Sequence, residues 1–310
     1  MLKKSVICLM GPTATGKTDA AAALADRFPV ELISVDSSLV YRGMDIGTAK
    51  PDKEFLNKYP HHLIDIRDPE DTYSVAEFIN DAKPLIHSAI DSGRTPVLVG
   101  GTMFYFNALE KGLDDLPAAN AEIREAIDLR AREQGWPSLH EELKRLDPAA
   151  AKRIQANDAQ RIQRALEICA LSKTAVPKRE SQRDTGAELE FIKFGLSFSD
   201  RKFLHERIQG RYQQMIENGL IDEIQGLLDS GIDPATTSMR MIGYRQLLEH
   251  LSGQISQGEA IEKAVAATRQ LAKRQLTWMR NQSNLIWWVD HGLADKRFDG
   301  LVDSLSQYLR

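Results

Sequence analysis

Residues Gly11, Pro12, Thr13, Ala14, Thr15, Gly16, Lys17 and Thr18 follow directly on the apolar run Ser5–Met10. The spacing G-x-x-x-x-G-K-[ST] suits a chain of phosphates. Gly11 and Gly16 let the backbone curl so that several N–H groups point inward, and a helix opening at the loop adds the positive end of its dipole. Lys17 supplies a mobile cation for the terminal phosphates. Thr18 offers a hydroxyl to Mg²⁺ as a metal ligand. The pattern predicts a phosphate or pyrophosphate ligand and leaves open what is attached to it.

Asp36 ends the run Glu31–Val35 and opens Asp-Ser-Ser-Leu-Val-Tyr41. A carboxylate there, across from a phosphate loop, can hold Mg²⁺ or take a proton from a nucleophile. Its bland alternative is a turn-forming Asp. Thr102 follows Gly100 and Gly101, which would let the backbone pass close to a ligand; a simple turn explains the same spacing. Between Lys263 and Val289 stand Lys263, Arg269, Lys273, Arg274 and Arg280 with no acidic residue. Arg269, Lys273 and Arg280 are spaced to share one helix face. Solvated faces usually mix signs, so this stripe predicts contact with a polyanion. Trp278 on the same run could stack a base, although a core place is the favoured reading. Arg161 and Arg164 lie three apart beside Gln160, with Arg124 on an earlier helix; spacing alone reads these as ordinary surface residues. Arg211, four after Arg207, fits a phosphate clamp or a surface arginine equally. His61 and His62 lack a third ligand at metal spacing and read as structural.

The elements that must carry these residues alternate. Ser5–Met10, Glu31–Val35, His62–Ile66 and Pro96–Val99 read as strands, with helices over Asp19–Phe28 and Val75–Asp91. That alternation predicts an α/β fold with a parallel sheet flanked by helices. Ligands in such sheets sit beyond the carboxyl ends of the strands. Three of those ends carry the polar clusters Gly11–Thr18, Asp36–Ser38 and Gly100–Thr102. From about Asp114 the chain is rich in Ala, Arg, Glu and Leu with no strand-like run. Asp147-Pro148 reads as an N-cap with proline at the first helical position, and Asn157–Gln160 as a capping box opening a helix over Ala159–Leu171. Pro177–Gly186 is polar and charged, a loop or hinge. Strand character returns at Leu189–Phe198. Helices then follow over Asp200–Asn218, Leu220–Ser230, Gly243–Ser252 and Glu259–Asn281, with a last strand at Leu285–Val289. The expected division is an α/β core of residues 1–113 and 189–310 with an all-helical insertion of residues 114–188.

Composition limits the classes. The chain has 310 residues, net charge −4 and 27% charged residues, enough length for a sizeable core and too acidic for a general nucleic-acid coat. Cys8 and Cys169 stand far apart without a C-x-x-C pair, which argues against zinc and against a disulfide framework. The apolar run before the phosphate loop is too short for a signal peptide or a membrane span, so a cytoplasmic place is expected.

The ordered set of motifs closely resembles the bacterial tRNA isopentenyltransferase (dimethylallyltransferase) family. It comprises GPTATGKT (Gly11–Thr18), SVDSSLVYRGMDIGTAKP (Ser34–Pro51), HHLIDIRDP (His61–Pro69), VGGTMFY (Val99–Tyr105), NDAQRIQRALE (Asn157–Glu167), MIGYRQ (Met241–Gln246) and KRQLTWMR (Lys273–Arg280). Ser38 departs slightly, since many members carry alanine or another small residue there. The resemblance implies a P-loop NTPase-like core and a prenyltransferase that moves a dimethylallyl group from dimethylallyl diphosphate to N6 of the adenosine 3′ of the anticodon; nothing in the sequence resembles a dimerisation seam, so a monomer is expected. It implies Asp36 as general base, with Lys17, Thr18 and Mg²⁺, Thr102 and Arg211 balancing charge on the departing diphosphate. It also implies tRNA contacts from Asp36, Ser37, Ser38, Leu39, Thr102, Arg124, Gln160, Arg161, Ile162, Gln163 and Arg164. Further contacts would come from Met241, Ile242, Gly243, Tyr244, Arg245, Gln246, Lys273, Arg274, Gln275, Leu276, Thr277, Trp278, Met279 and Arg280. Two rivals share the loop: an ATP-dependent small-molecule kinase, and a nucleotide-switched RNA-binding protein. The second is weakened because the chain has no D-x-x-G and Asn57-Lys-Tyr-Pro60 lacks the final Asp of N-K-x-D.

Overall fold

A computed structural model describes residues 4–114, 116–172, 189–290 and 298–309. Two compact units emerge, Met1–Glu110 with Asp184–Arg310, and Lys111–Arg183.

The larger unit is built on strands β1 (Lys4–Met10), β2 (Val30–Val35), β3 (His61–His62), β4 (Thr95–Gly100), β5 (Leu189–Phe198) and β6 (Leu285–Asp290). They form one sheet in the order β3-β2-β4-β1-β5-β6, parallel throughout. Val6–Met10 of β1 and Val97–Val99 of β4 are buried without alternation, as central strands covered on both faces must be. Helices α1 (Lys17–Ala25), α2 (Lys53–Lys58), α3 (Val75–Asp91) and α4 (Met103–Lys111) connect the first strands. The expected strand His62–Ile66 shrinks to two residues. Leu63 and Asp65 adopt positive φ of 65° and 55°, which turns the chain out of the ladder, and pairing resumes only at a single Tyr41–Arg67 bridge. Helix α1 starts at Lys17, two residues earlier than its sequence suggests, because Gly16 at φ 83° already serves as its N-cap.

The helical unit holds α5 (Ala121–Gln134), α6 (Trp136–Leu146), α7 (Pro148–Arg153) and α8 (Ala159–Ser172). Their apolar faces close over a core that includes Ile127, Leu139, Leu143, Ile162 and Leu166. Asp147 caps α7 as expected, its carboxylate accepting the Ala150 N–H at 2.9 Å with Pro148 at the first turn. At α8 the capping carboxylate is Asp158, which takes the Arg161 N–H at 3.3 Å; the expected box from Asn157 is displaced by one residue. The proposed hinge Pro177–Gly186 falls outside the described residues.

The chain returns to the larger unit through β5, α9 (Arg201–Glu217), α10 (Leu220–Asp229), α11 (Tyr244–Leu251), α12 (Gln257–Arg280), β6 and α13 (Asp299–Ser306). Leu301, Val302 and Leu305 of α13 pack with α1 and the sheet. Among the described residues no helix is long and apolar enough to cross a membrane.

Candidate active site

Three strand ends meet where parallel-sheet geometry predicts. β1 runs into Gly11–Thr18, and the Gly11 N–H donates to Gly100 O of β4 at 3.3 Å. A Cβ on Gly100 would stand 2.0 Å from Val35 O, and one on Gly11 would stand 2.7 Å from Thr15 Oγ1. Glycine is therefore required for the strands to converge this closely. The Thr15 hydroxyl, buried, donates to Pro12 O at 2.9 Å and fixes the loop's curl. Ala14 adopts φ 65°, unusual for a residue with a Cβ, and Arg207 of α9 donates to its carbonyl at 2.8 Å.

Lys17 turns its amine inward and donates to Pro12 O at 2.8 Å. Burial brings its pKa down to about 8, against the pull of Asp36 and with Arg211 adding repulsion. Arg211 of α9 donates to Thr13 Oγ1 at 3.1 Å and to Thr48 O at 3.2 Å. Burial lowers its pKa, while Tyr212 and Asp36 oppose the shift. Among the described residues neither cation has a carboxylate within ion-pair distance. Two desolvated charges with neutral acceptors and, among the described residues, no acidic partner make a ready receptor for an anion.

Asp36 faces this pair from the end of β2. Its Oδ1 accepts the Ser38 N–H at 2.9 Å and the Ser38 hydroxyl at 2.5 Å; among the described residues no hydrogen bond engages Oδ2. Thr102 accepts the Ser37 N–H at 3.1 Å through its hydroxyl, and its own N–H donates to Val35 O at 3.2 Å. Thr102 thus ties the end of β4 to the turn carrying Asp36.

For Mg²⁺, the donor set is sparse. Among the described residues no group of three or more His, Cys, Asp or Glu side chains could hold a metal. The Thr18 hydroxyl makes no side-chain hydrogen bond among them and opens α1 beside Lys17. One protein hydroxyl, with phosphate oxygens and water completing the shell, is a mode Mg²⁺ accepts.

Gln275 lies on α12 within the stretch expected to contact tRNA, yet it is buried. Its Oε1 accepts the Thr13 N–H at 3.1 Å and its Nε2 donates to Gly101 O at 2.8 Å. It therefore joins the phosphate loop to the end of β4. No local sequence signal distinguishes it from its neighbours, since the bond spans 262 residues.

The remaining expected contacts divide by exposure. In Lys273–Arg280 the exposed residues are Lys273, Arg274, Thr277, Trp278 and Arg280, while Leu276 and Met279 are buried with Gln275. Trp278 is 38% exposed, which corrects the core reading: it sits on the same outward side as the cations. Arg269 leaves the expected stripe, donating to Gln209 Oε1 at 3.2 Å on α9. In Met241–Gln246 only Arg245 is exposed; Tyr244 and Gln246 are buried, and Gln246 Oε1 accepts the Gly243 N–H at 2.9 Å. Ser37 is exposed, with Ser38 and Leu39 half-buried.

The helical unit departs further from expectation. Ile162 is a fully buried core residue. Gln163 donates to Asp128 Oδ1 at 2.7 Å. Arg124 and Arg164 both bind Glu167, whose side chain is fully buried: Arg124 at 2.9 and 3.1 Å, Arg164 at 2.5 Å. Glu167 also accepts the Asn120 N–H at 2.7 Å. Burial raises the Glu167 pKa, but the hydrogen bonds from Arg124, Arg164 and Asn120 outweigh it and hold the group below its ordinary value. Gln160 and Arg161 are exposed.

Residues 39–282 match the IPP transferase family model. The chain is 49% identical to the tRNA dimethylallyltransferase of Bordetella pertussis, over 100% of this chain and 99% of that protein. It is 48% identical to that of Bordetella petrii, over 98% of both. It resembles the solved tRNA isopentenylpyrophosphate transferase of Bacillus halodurans with a TM-score of 0.72 and 39% identity, over 99% of this chain and 97% of that one. A eukaryotic dimethylallyltransferase solved acting on tRNA shares the fold, with a TM-score of 0.80 at 24% identity over 98% of this chain and 79% of that one. The chain belongs to the IPP transferase family, which includes the bacterial tRNA dimethylallyltransferases.

Proposed function

We propose that this protein transfers a dimethylallyl group from dimethylallyl diphosphate to N6 of the adenosine 3′-adjacent to the tRNA anticodon, releasing diphosphate. The observation that carries the reading is the cation pair Lys17 and Arg211. Both are desolvated, neither has a carboxylate partner among the described residues, and both feel the charge of Asp36. A diphosphate fills that receptor, and Asp36 is left facing the carbon end of the ligand. Family membership supplies the substrate class: the relatives are named for dimethylallyl transfer to tRNA.

The chemistry then balances with the residues present. The adenine amine forms a bond to C1 of the isoprenoid as the C1–O bond breaks, and that electron pair leaves on the diphosphate. The amine is a weak nucleophile because its lone pair is delocalised, so removing its proton matters. Asp36 accepts that proton at Oδ2, while Oδ1 stays bonded to Ser38. Lys17 and Arg211 stabilise the charge accumulating on the leaving group. Thr18 would hold Mg²⁺, which supplies further neutralisation of that charge. Thr102 fixes the Asp36 turn.

A stacked anticodon-loop base cannot reach such a site, so the adenosine must be flipped out at a cost of about a few kcal/mol. The exposed Lys273, Arg274, Trp278 and Arg280 of α12 offer charge and a stacking face to offset it. Exposed Gln160 and Arg161 on α8 offer a second contact from the helical unit. The protein acts as a monomer on cytoplasmic tRNA in this reading.

The test is direct. Purified protein with Mg²⁺, radiolabelled dimethylallyl diphosphate and unmodified tRNA carrying adenosines 3′ of the anticodon should yield labelled tRNA. Unlabelled tRNA together with ATP-dependent phosphorylation of a small molecule would replace this reading with the kinase alternative.

A further inference from the structure

Glu223 lies in the first turn of α10, where an acidic residue needs no more explanation than the helix dipole. Its contacts say otherwise. Its Oε2 accepts the backbone N–H groups of Asp45 and Ile46 at 2.8 and 2.7 Å. Its Oε1 accepts the Gly47 N–H at 3.1 Å and the Tyr244 hydroxyl at 2.7 Å. Three successive backbone N–H groups aimed at one anion form a nest, and here the anion is a side chain from 176 residues away.

Tyr244 is fully buried and packs on the same turn: a Cβ on Gly47 would stand 2.5 Å from its ring. The other side of the segment is fastened by Lys50, which donates to Tyr41 O at 2.7 Å and pairs with Asp45 and Asp65 at 2.6 and 2.5 Å. The segment so held ends in Thr48, whose carbonyl accepts Arg211 Nη2 at 3.2 Å while Nη1 reaches Thr13 of the phosphate loop. The contacts run from carboxylate to nest, from nest to Thr48 carbonyl, and from there to guanidinium and phosphate loop.

We propose that Glu223, with Tyr244, is a positioning residue for diphosphate binding: it locks Asp45–Gly47 so that the Thr48 carbonyl seats Arg211 against the phosphate loop. This rests on the reading of Lys17 and Arg211 as a diphosphate receptor. The effect travels only through Arg211, so it should vanish when Arg211 is gone. A merely structural glutamate would harm the protein with or without that arginine.

The measurement is calorimetric binding of inorganic pyrophosphate with Mg²⁺ to the full chain, in Glu223→Gln, Arg211→Ala and the double variant. Glutamine keeps the shape but replaces one acceptor oxygen with a donor amide, which cannot accept from the nest. Glu223→Gln should weaken pyrophosphate binding about tenfold in the wild-type background and less than twofold in the Arg211→Ala background. The Kd for tRNA should change less than twofold in both. Equal weakening in both backgrounds, or unchanged pyrophosphate affinity in a folded Glu223→Gln, overturns the proposal. Should Glu223→Gln lose its cooperative thermal transition, Tyr244→Phe carries the same cycle. It removes one of the four donors and leaves the nest intact, with about threefold weakening expected only where Arg211 is present, and equal or no weakening overturning it. If pyrophosphate binding follows these expectations while no prenyl group reaches tRNA, the proposed function fails and the role of Glu223 in anion binding stands.

Discussion

Lys17 and Arg211 in the larger unit, and Arg124 and Arg164 in the helical unit, are all drawn partly out of solvent. Among the described residues, only the second pair meets a carboxylate. Glu167 accepts from both arginines and from the Asn120 N–H, and its side chain is fully buried. Lys17 and Arg211 instead donate to carbonyls and a hydroxyl, Pro12 O, Thr48 O and Thr13 Oγ1. A neutral acceptor satisfies a donor's geometry without cancelling its charge. The first pair is therefore held in place with its charge still to spend, and the second has spent its charge on folding. Burial tells these apart no better than sequence spacing does; the partner does.

The largest effect should come from the carboxylate that the first pair faces. Asp36→Asn keeps the Ser38 bonds possible at one oxygen and removes the proton acceptor. Prenyl transfer should fall by about 10²–10⁴-fold, the range for loss of a general base, with pyrophosphate affinity within about threefold of wild type. Single-turnover transfer and calorimetry measure the two. Transfer at the wild-type rate would remove Asp36 from the role of base.

The opposite pattern is expected at Glu167. Glu167→Ala leaves two arginines and the Asn120 N–H without their acceptor and should destabilise the helical unit by about 3 kcal/mol, toward the lower end of the range because both arginines reach solvent. Pyrophosphate binding should be unaffected. The same group sets an acid limit. Its pKa is lowered in the folded state, so its contribution is present above the ordinary glutamate pKa and lost as pH falls through the depressed one. Urea unfolding followed between about pH 7 and pH 3 should show a stability loss at the acid end that Glu167→Ala lacks. A parallel pair of curves would make the ion-pair hub energetically idle.

How much of this was legible before the structure follows from sequence distance. Gly11–Thr18, Asp36 and Thr102 each stand at a strand end, and strands announce themselves locally through continuous apolar runs such as Val6–Met10, so the convergence of three loops could be anticipated from alternation alone. The insertion was equally visible as a loss of strand-like runs after Asp114. Side-chain partners were not. Gln275 serves the phosphate loop across 262 residues, and Glu223 holds Gly47 across 176; nothing local marks either. The strand expected at His62–Ile66 was legible but its shortening to two residues was not, because nothing in the run announces the left-handed backbone angles of Leu63 and Asp65. Arg124 and Arg164 carry no local mark of their acid partner: Glu167 closes the segment Asn157–Glu167, but neither its burial nor its reach to Arg124, 43 residues away, can be read from spacing.

The unspent charge of Lys17 gives a pH signature of intermediate size. Its pKa of about 8 in the free protein means that the ammonium is present below that pH and lost above it. Bound anion favours the charged form. Pyrophosphate affinity should therefore fall by up to about tenfold per pH unit above pH 8. Lys17→Met, measured in parallel, removes the ligand's own ionisation from the comparison: its profile should lack the break. Matching profiles for both proteins would assign the break to the ligand and leave Lys17 charged throughout.

The smallest effect probes whether any cation of the helical unit keeps its charge available. Arg161 is 68% exposed and pairs only loosely with Asp158 at 3.5 Å, as an i,i+3 neighbour. A surface pair of this kind contributes little to folding, so Arg161→Ala should leave the urea midpoint unchanged. Exposed as it is, Arg161 can trade Asp158 for a phosphate at small cost, which neither Arg124 nor Arg164 can do without stranding the buried Glu167. Arg161→Ala should therefore weaken tRNA binding modestly and reduce the slope of log Kd against log salt by about 1. An unchanged slope would show that Arg161, like its two neighbours, is occupied within the protein, and would leave the exposed cations of α12 to carry the tRNA contact.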